Sequence, residues 1–108
     1  WSNVQSTHVG QFAYLVIDNT DSYAFDLVTR ITGNGIDDTV TRAPQDYAYW
    51  RSVPVGRYTL RLTSDYIWLC PGSGGNTRSE QITLGNTIDG GAWYIIGACN
   101  TKGPYLTP

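Results

Sequence analysis

The sequence predicts an all-β fold, a single antiparallel β-sandwich of about seven to eight short strands with one disulfide. Three observations carry that expectation. The first is composition: one lysine (Lys102) and one glutamate (Glu80) stand against 13% aromatic residues and 12 glycines, a balance that favours strands and turns over helices. The second is the clean period-2 alternation of Arg57 to Thr63, where Tyr58, Leu60 and Leu62 point one way and Arg57, Thr59, Arg61 and Thr63 the other. The third is punctuation, with turn-forming residues recurring roughly every 8–12 positions.

Taken in order, residues 1–11 are polar and extended in character. Phe12 to Ile17 is strongly apolar and reads as a strand. The turn signal Asp18-Asn19-Thr20-Asp21-Ser22 then joins it to a second strand, Tyr23 to Ile31, as a hairpin. Gly33-Asn34-Gly35 turns the chain into Ile36 to Arg42, whose alternation suits an exposed strand. After Ala43-Pro44-Gln45-Asp46 comes an aromatic strand, Tyr47 to Val53, and Pro54-Val55-Gly56 turns it into the strand Arg57 to Thr63. Tyr66 to Cys70 and Ser79 to Leu84 read as further strands around a glycine-rich loop. Ala92 to Cys99 is a nearly continuous apolar run, which predicts a central strand or one covered on both faces. The tail from Asn100 to Pro108 carries Gly103-Pro104 and ends in Pro.

At 108 residues the chain suits one hydrophobic core, so residues 12–108 are expected to form a single domain behind an extended segment, 1–11. Two cysteines, no methionine and a first residue of Trp predict a mature, secreted or cell-surface chain whose signal peptide has been removed. Cys70 and Cys99 lie at the ends of strand-like runs and are expected to pair. Closing a ring of about 30 residues would contribute roughly 3–4 kcal/mol in the loop-entropy view. A pair of buried free thiols is the alternative. No Asn-x-Ser/Thr triplet is present.

The segment Tyr49-Trp50-Arg51-Ser52-Val53-Pro54-Val55-Gly56-Arg57-Tyr58-Thr59-Leu60 resembles a hairpin of transthyretin-like and immunoglobulin-like extracellular modules. There an aromatic strand is followed by Val-Pro-x-Gly-x-Tyr-x-Leu. Proline donates nothing to a ladder, glycine supplies the turn, and Tyr-x-Leu-x-Leu buries one face. The resemblance covers a short stretch and implies a fold, not a function. The immunoglobulin Cys–Trp–Cys spacing is absent, since both cysteines fall late in the chain.

Catalytic chemistry has a thin inventory. His8 is the one histidine, and it sits in the polar N-terminal segment with no evident nucleophile or metal-binding partner. The aspartates cluster in turns, where carboxylates cap backbone amides. Asp18 to Asp21 and Asn34 to Asp38 lack the alternating spacing of a calcium loop. Gly72-Ser73-Gly74-Gly75 lacks the Gly-Lys-Ser/Thr ending of a phosphate cradle. The expectation is therefore a non-enzyme with no cofactor and no metal.

A net charge of −2 with arginines spread along the chain argues against nucleic acid, and no apolar run is long enough to insert in a membrane. The surplus of aromatics is more telling. Adjacent strand residues face opposite ways, so Tyr49/Trp50 and Trp93/Tyr94 each put one ring on either face. Tyr47, Tyr49, Trp50 and Trp68 are the candidate surface aromatics. The leading expectation is a structural or adhesive subunit that associates with itself or other surface proteins through β-strand contacts, with Trp1, Val4, Ser6 and His8 in the free N-terminal segment as self-association candidates. The alternative is a small carbohydrate-binding module or lectin taking glycans on exposed Tyr and Trp. The third is a secreted inhibitor or effector using the loop 71–78.

Overall fold

The structure is a computed structural model that describes residues 12–20, 22, 24–46, 49–64, 75–87 and 90–105. Every regular element among them is a strand: β1 (Phe12–Asp18), β2 (Leu27–Gly33), β3 (Ile36–Arg42), β4 (Tyr49–Pro54), β5 (Gly56–Ser64), β6 (Thr77–Leu84), β7 (Asn86–Thr87), β8 (Gly90–Gly91), β9 (Trp93–Gly97) and β10 (Thr101–Tyr105). They form two four-stranded sheets, ordered β10-β9-β1-β4 and β3-β2-β5-β6, and a two-residue ladder of β7 with β8. All pairings are antiparallel except β1 with β9, which is parallel. The expected all-β class is therefore observed.

Period-2 alternation builds one core from both sheets. Ala13, Leu15 and Ile17 of β1, Val53 of β4, and Tyr94 and Ile96 of β9 come from the first sheet. Leu27 and Ile31 of β2, Val40 of β3, Tyr58, Leu60 and Leu62 of β5, and Leu84 of β6 come from the second, and all belong to a single cluster. Each fully buried aliphatic side chain of this kind contributes about 1.5–3 kcal/mol.

Cross-strand rows explain how the core is closed at its sides. On the core-facing side of the second sheet, Asp38, Ile31, Leu60 and Glu80 stand in one row, and Val40, Thr29, Leu62 and Arg78 in the next. The centres of these rows, Ile31 and Leu60, Thr29 and Leu62, are buried, and the charges fall on the edge strands β3 and β6. Those charges reach the other sheet. Asp38 accepts from Arg51 of β4 at 2.7 Å. Arg78 donates from Nε to the Ala98 carbonyl at 3.0 Å and from Nη2 to that of Gly97 at 2.8 Å. It also pairs with Glu80 at 2.7 Å, and Glu80 accepts from the Thr101 hydroxyl at 2.9 Å. Charged residues turned inward on edge strands also discourage unwanted strand addition there.

Several expectations are corrected. β4 and β5, expected as a hairpin about Pro54-Val55-Gly56, lie in different sheets, β4 pairing with β1 and β5 with β2 and β6. β1 and β2 likewise do not form a hairpin, because they lie in different sheets. The turn between them is organised by Asn19, which is 4% exposed. Its side-chain amide donates to the carbonyls of Phe25, Arg42 and Ala43 at 3.0–3.1 Å. Those bonds carry the chain from one sheet to the other and delay β2 until Leu27. Thr101–Tyr105, in a tail where no strand is predicted, pairs with β9 through a register shift between Lys102 and Tyr105. Gly103 permits that approach, since a Cβ there would lie 2.6 Å from the Trp93 carbonyl oxygen.

The predicted disulfide is not found among the described residues. The apolar run ends as a strand at Gly97, whose amide bonds the Asn100 carbonyl at 2.9 Å. Cys99 therefore sits in the turn, exposed, with a free thiol. Cys70 and the strand expected at Tyr66 to Cys70 lie outside the described residues.

Candidate functional site

The outer face of the first sheet is apolar where a solvent-facing sheet is ordinarily polar. β1 carries apolar residues in both phases of its alternation, Phe12, Tyr14 and Val16 outward as well as Ala13, Leu15 and Ile17 inward. Val16 is 0% exposed although it does not belong to the core cluster. Around it Phe12, Tyr14, Trp93 and Ile95 are half-buried. Tyr14 and Trp93 are register partners on the parallel strands β1 and β9. Their rings stack with centroids 4.7 Å apart and an interplanar angle of 24°, a contact worth about 0.5–1.5 kcal/mol beyond the area buried. Tyr105 follows on β10 as the partner of Trp93 and is 42% exposed.

The outer face of the second sheet has the opposite character. Strand pairing sets Arg30 of β2 directly opposite Arg61 of β5, and Arg57 lies on the same face four residues along β5. Threonines and glutamine fill the intervening positions, with Thr32, Thr59 and Gln81 in one row. Arg30 makes a two-pronged contact to Asp37 at 2.9 and 2.8 Å. The hydrogen bonds from Arg30 hold the Asp37 carboxyl below its ordinary value, and the same contact raises the Arg30 guanidinium.

No protein-family model, curated protein or solved structure matches the chain.

The sequence-predicted site residues are placed unevenly. Tyr49 and Trp50 lie in β4, where the backbone register sets them opposite Ile17 and Val16 of β1. Tyr47 and Trp68, and the self-association candidates Trp1, Val4, Ser6 and His8, lie outside the described residues. Trp93 and Tyr94 divide between faces as adjacent strand residues must: Tyr94 is in the core at 6% exposure and Trp93 stacks on the other side. Tyr94 also accepts the Gly85 amide at 3.0 Å. Among the described residues no three His, Cys, Asp or Glu side chains gather as metal ligands.

Sequence reading missed Tyr14 and Tyr105 as surface aromatics, and it treated the arginines as scattered. The signal for Tyr14 was present, since Phe12 to Ile17 is apolar in both phases. The grouping of Arg30 with Arg57 and Arg61 depends on the pairing of β2 with β5, which no local pattern specifies.

Proposed function

We propose that the chain is a non-catalytic extracellular β-sandwich module of the transthyretin-like or immunoglobulin-like kind. In this reading it is a structural or adhesive subunit that associates with copies of itself or other surface proteins. The sandwich reading draws support from two four-stranded sheets that share one core cluster. The single observation that carries association is the apolar outer face of the first sheet, where Phe12, Tyr14, Trp93 and Ile95 are only half-buried and Tyr105 is 42% exposed. Apolar sheet surface of this kind marks contact sites. Low charge content, 15% of residues, accords with an extracellular contact role. Sizing and electron microscopy of the full chain, then of one lacking residues 1–10, test the reading. Oligomers or filaments altered by the deletion support strand-mediated assembly; a strict monomer unchanged by it contradicts the proposal.

A second reading is favoured by Tyr105, the β10 register partner of Trp93, which is 42% exposed. Such a row suits stacking on sugar rings, so a small carbohydrate-binding module is the alternative. Tryptophan fluorescence unchanged by a panel of neutral polysaccharides counts against it.

A further inference from the structure

The outer face of the second sheet concentrates positive charge on a chain whose net charge is −2. Among the described residues Arg30, Arg57 and Arg61 share it with one carboxylate, Asp37. Arg30 and Arg61 are register partners, so their Cα atoms stand about 5 Å apart. Like charges directly opposite across a ladder are destabilising. Asp37 relieves Arg30 alone. Among the described residues Arg57 and Arg61 have no ion-pair partner, and both are exposed. With no carboxylate among the described residues to neutralise Arg57 or Arg61, an anionic partner would make the arrangement favourable.

The neighbouring surface says what sort of anion. An open groove of about 350 Å³ lies at this face, lined by Arg57 with Thr32, Thr59, Gln81 and Thr83, and also by Gly33, Tyr58 and Ile82. That volume is in the range of ligand sites. Its walls offer hydroxyl and amide groups that both donate and accept, the complement of sugar hydroxyls. Arg57 and Arg61 stand about 13 Å apart along β5, a spacing for separated charges rather than a dense phosphate row. The described outward side chains of this face include no aromatic ring on which a base could stack. Arginine presents a planar fork suited to carboxylate or sulfate.

We propose that the outer face of β2, β5 and β6 binds an acidic polysaccharide, its anionic groups held by Arg57 and Arg61 and its hydroxyls by the threonine-lined groove. This site uses none of the residues of the apolar face, so it stands or falls separately from association through the first sheet.

Titration calorimetry of the full chain at about 0.15 M salt tests it with polygalacturonate, dextran sulfate, neutral dextran and a single-stranded oligonucleotide. The expected result is binding of polygalacturonate, of dextran sulfate or of both, and none of neutral dextran. The stronger acidic polymer tells carboxylate from sulfate. R57Q and R61Q each weaken that binding by at least about tenfold, the loss of one charge-assisted contact, while thermal unfolding shows both variants folded. D37N, which frees Arg30, tightens it. Absence of binding to either acidic polymer overturns the proposal, as does undiminished binding by the folded double variant R57Q/R61Q. Tighter binding of the oligonucleotide than of both polysaccharides overturns it in favour of a nucleic-acid face.

Discussion

Arg51 of β4 and Asp38 of β3 meet at 2.7 Å across the two sheets, on the opposite side of the core from Arg78, which bonds two carbonyls at the end of β9. The two closures differ in what they leave behind when broken. Arg51 and Asp38 are 26% and 31% exposed, so water can replace either partner. Arg78 is 17% exposed and satisfies Gly97, Ala98 and Glu80 together. Asp38→Ala is expected to cost about 1 kcal/mol or less, and Arg78→Ala about 2–3 kcal/mol because it strands partly buried acceptors. Urea unfolding of the two variants measures the difference; equal losses would contradict it.

Asn19 is expected to tolerate replacement poorly. Its amide nitrogen faces the carbonyls of Phe25, Arg42 and Ala43, while its backbone carbonyl accepts from Ser22 and Gln45. Asn19→Ala removes the side-chain donor to the part-buried carbonyls of Arg42 and Ala43, while Phe25 keeps its bond from the Ser22 hydroxyl, and is expected to cost about 1–2 kcal/mol. Asn19→Asp is nearly isosteric but turns a donor into a charged acceptor among three carbonyls. It should be worse than alanine at neutral pH. Denaturation midpoints that rank the variants the other way would show that packing, not donation, is what Asn19 supplies.

Thr29 predicts the opposite sign. It is 0% exposed in the middle of β2, and its hydroxyl has no hydrogen-bond partner among the described residues. Valine keeps the β-branched shape and removes the uncompensated polar atom. Thr29→Val is therefore expected to stabilise the protein by about 1 kcal/mol. A lowered melting temperature for the variant would reveal a partner for the hydroxyl.

The Arg30–Asp37 contact makes a pH prediction. The folded Asp37 pKa is depressed, chiefly by the hydrogen bonds from Arg30. Its contribution is present above the unfolded carboxylate pKa and lost as pH falls through the lower, folded value. The pair is well exposed, at 50% and 61%, so the effect on stability should be small and weakened by salt. An NMR titration should place the Asp37 carboxyl below the ordinary aspartate value, and Arg30→Gln should return it there. An ordinary value in the unaltered protein would contradict the contact.

Sequence patterns located strands well where one face is buried. The alternation at Arg57–Thr63 lies within Gly56–Ser64, and Ile36–Arg42 is observed with the same bounds. Pairing was far less legible. Asp18 to Ser22 carries strong turn chemistry, and sequence alone does not say that Asn19 uses it to change sheets. β10 was hidden by Gly103-Pro104, which reads as a turn but here falls within a register shift. The candidate faces suffered likewise. Tyr14, Trp93 and Tyr105 are separated widely in sequence, and only the β1–β9–β10 pairing puts them in one row.

The central claim is that the apolar outer face of the first sheet is a contact surface, and its mass in solution tests this most directly. Sedimentation equilibrium of the full chain across a wide concentration range should show reversible association. Trp93→Thr, which keeps a β-branched residue in β9 while removing the ring stacked on Tyr14, should weaken it markedly in a protein that remains folded. A monomer at every concentration, or association untouched by that substitution, would contradict the account.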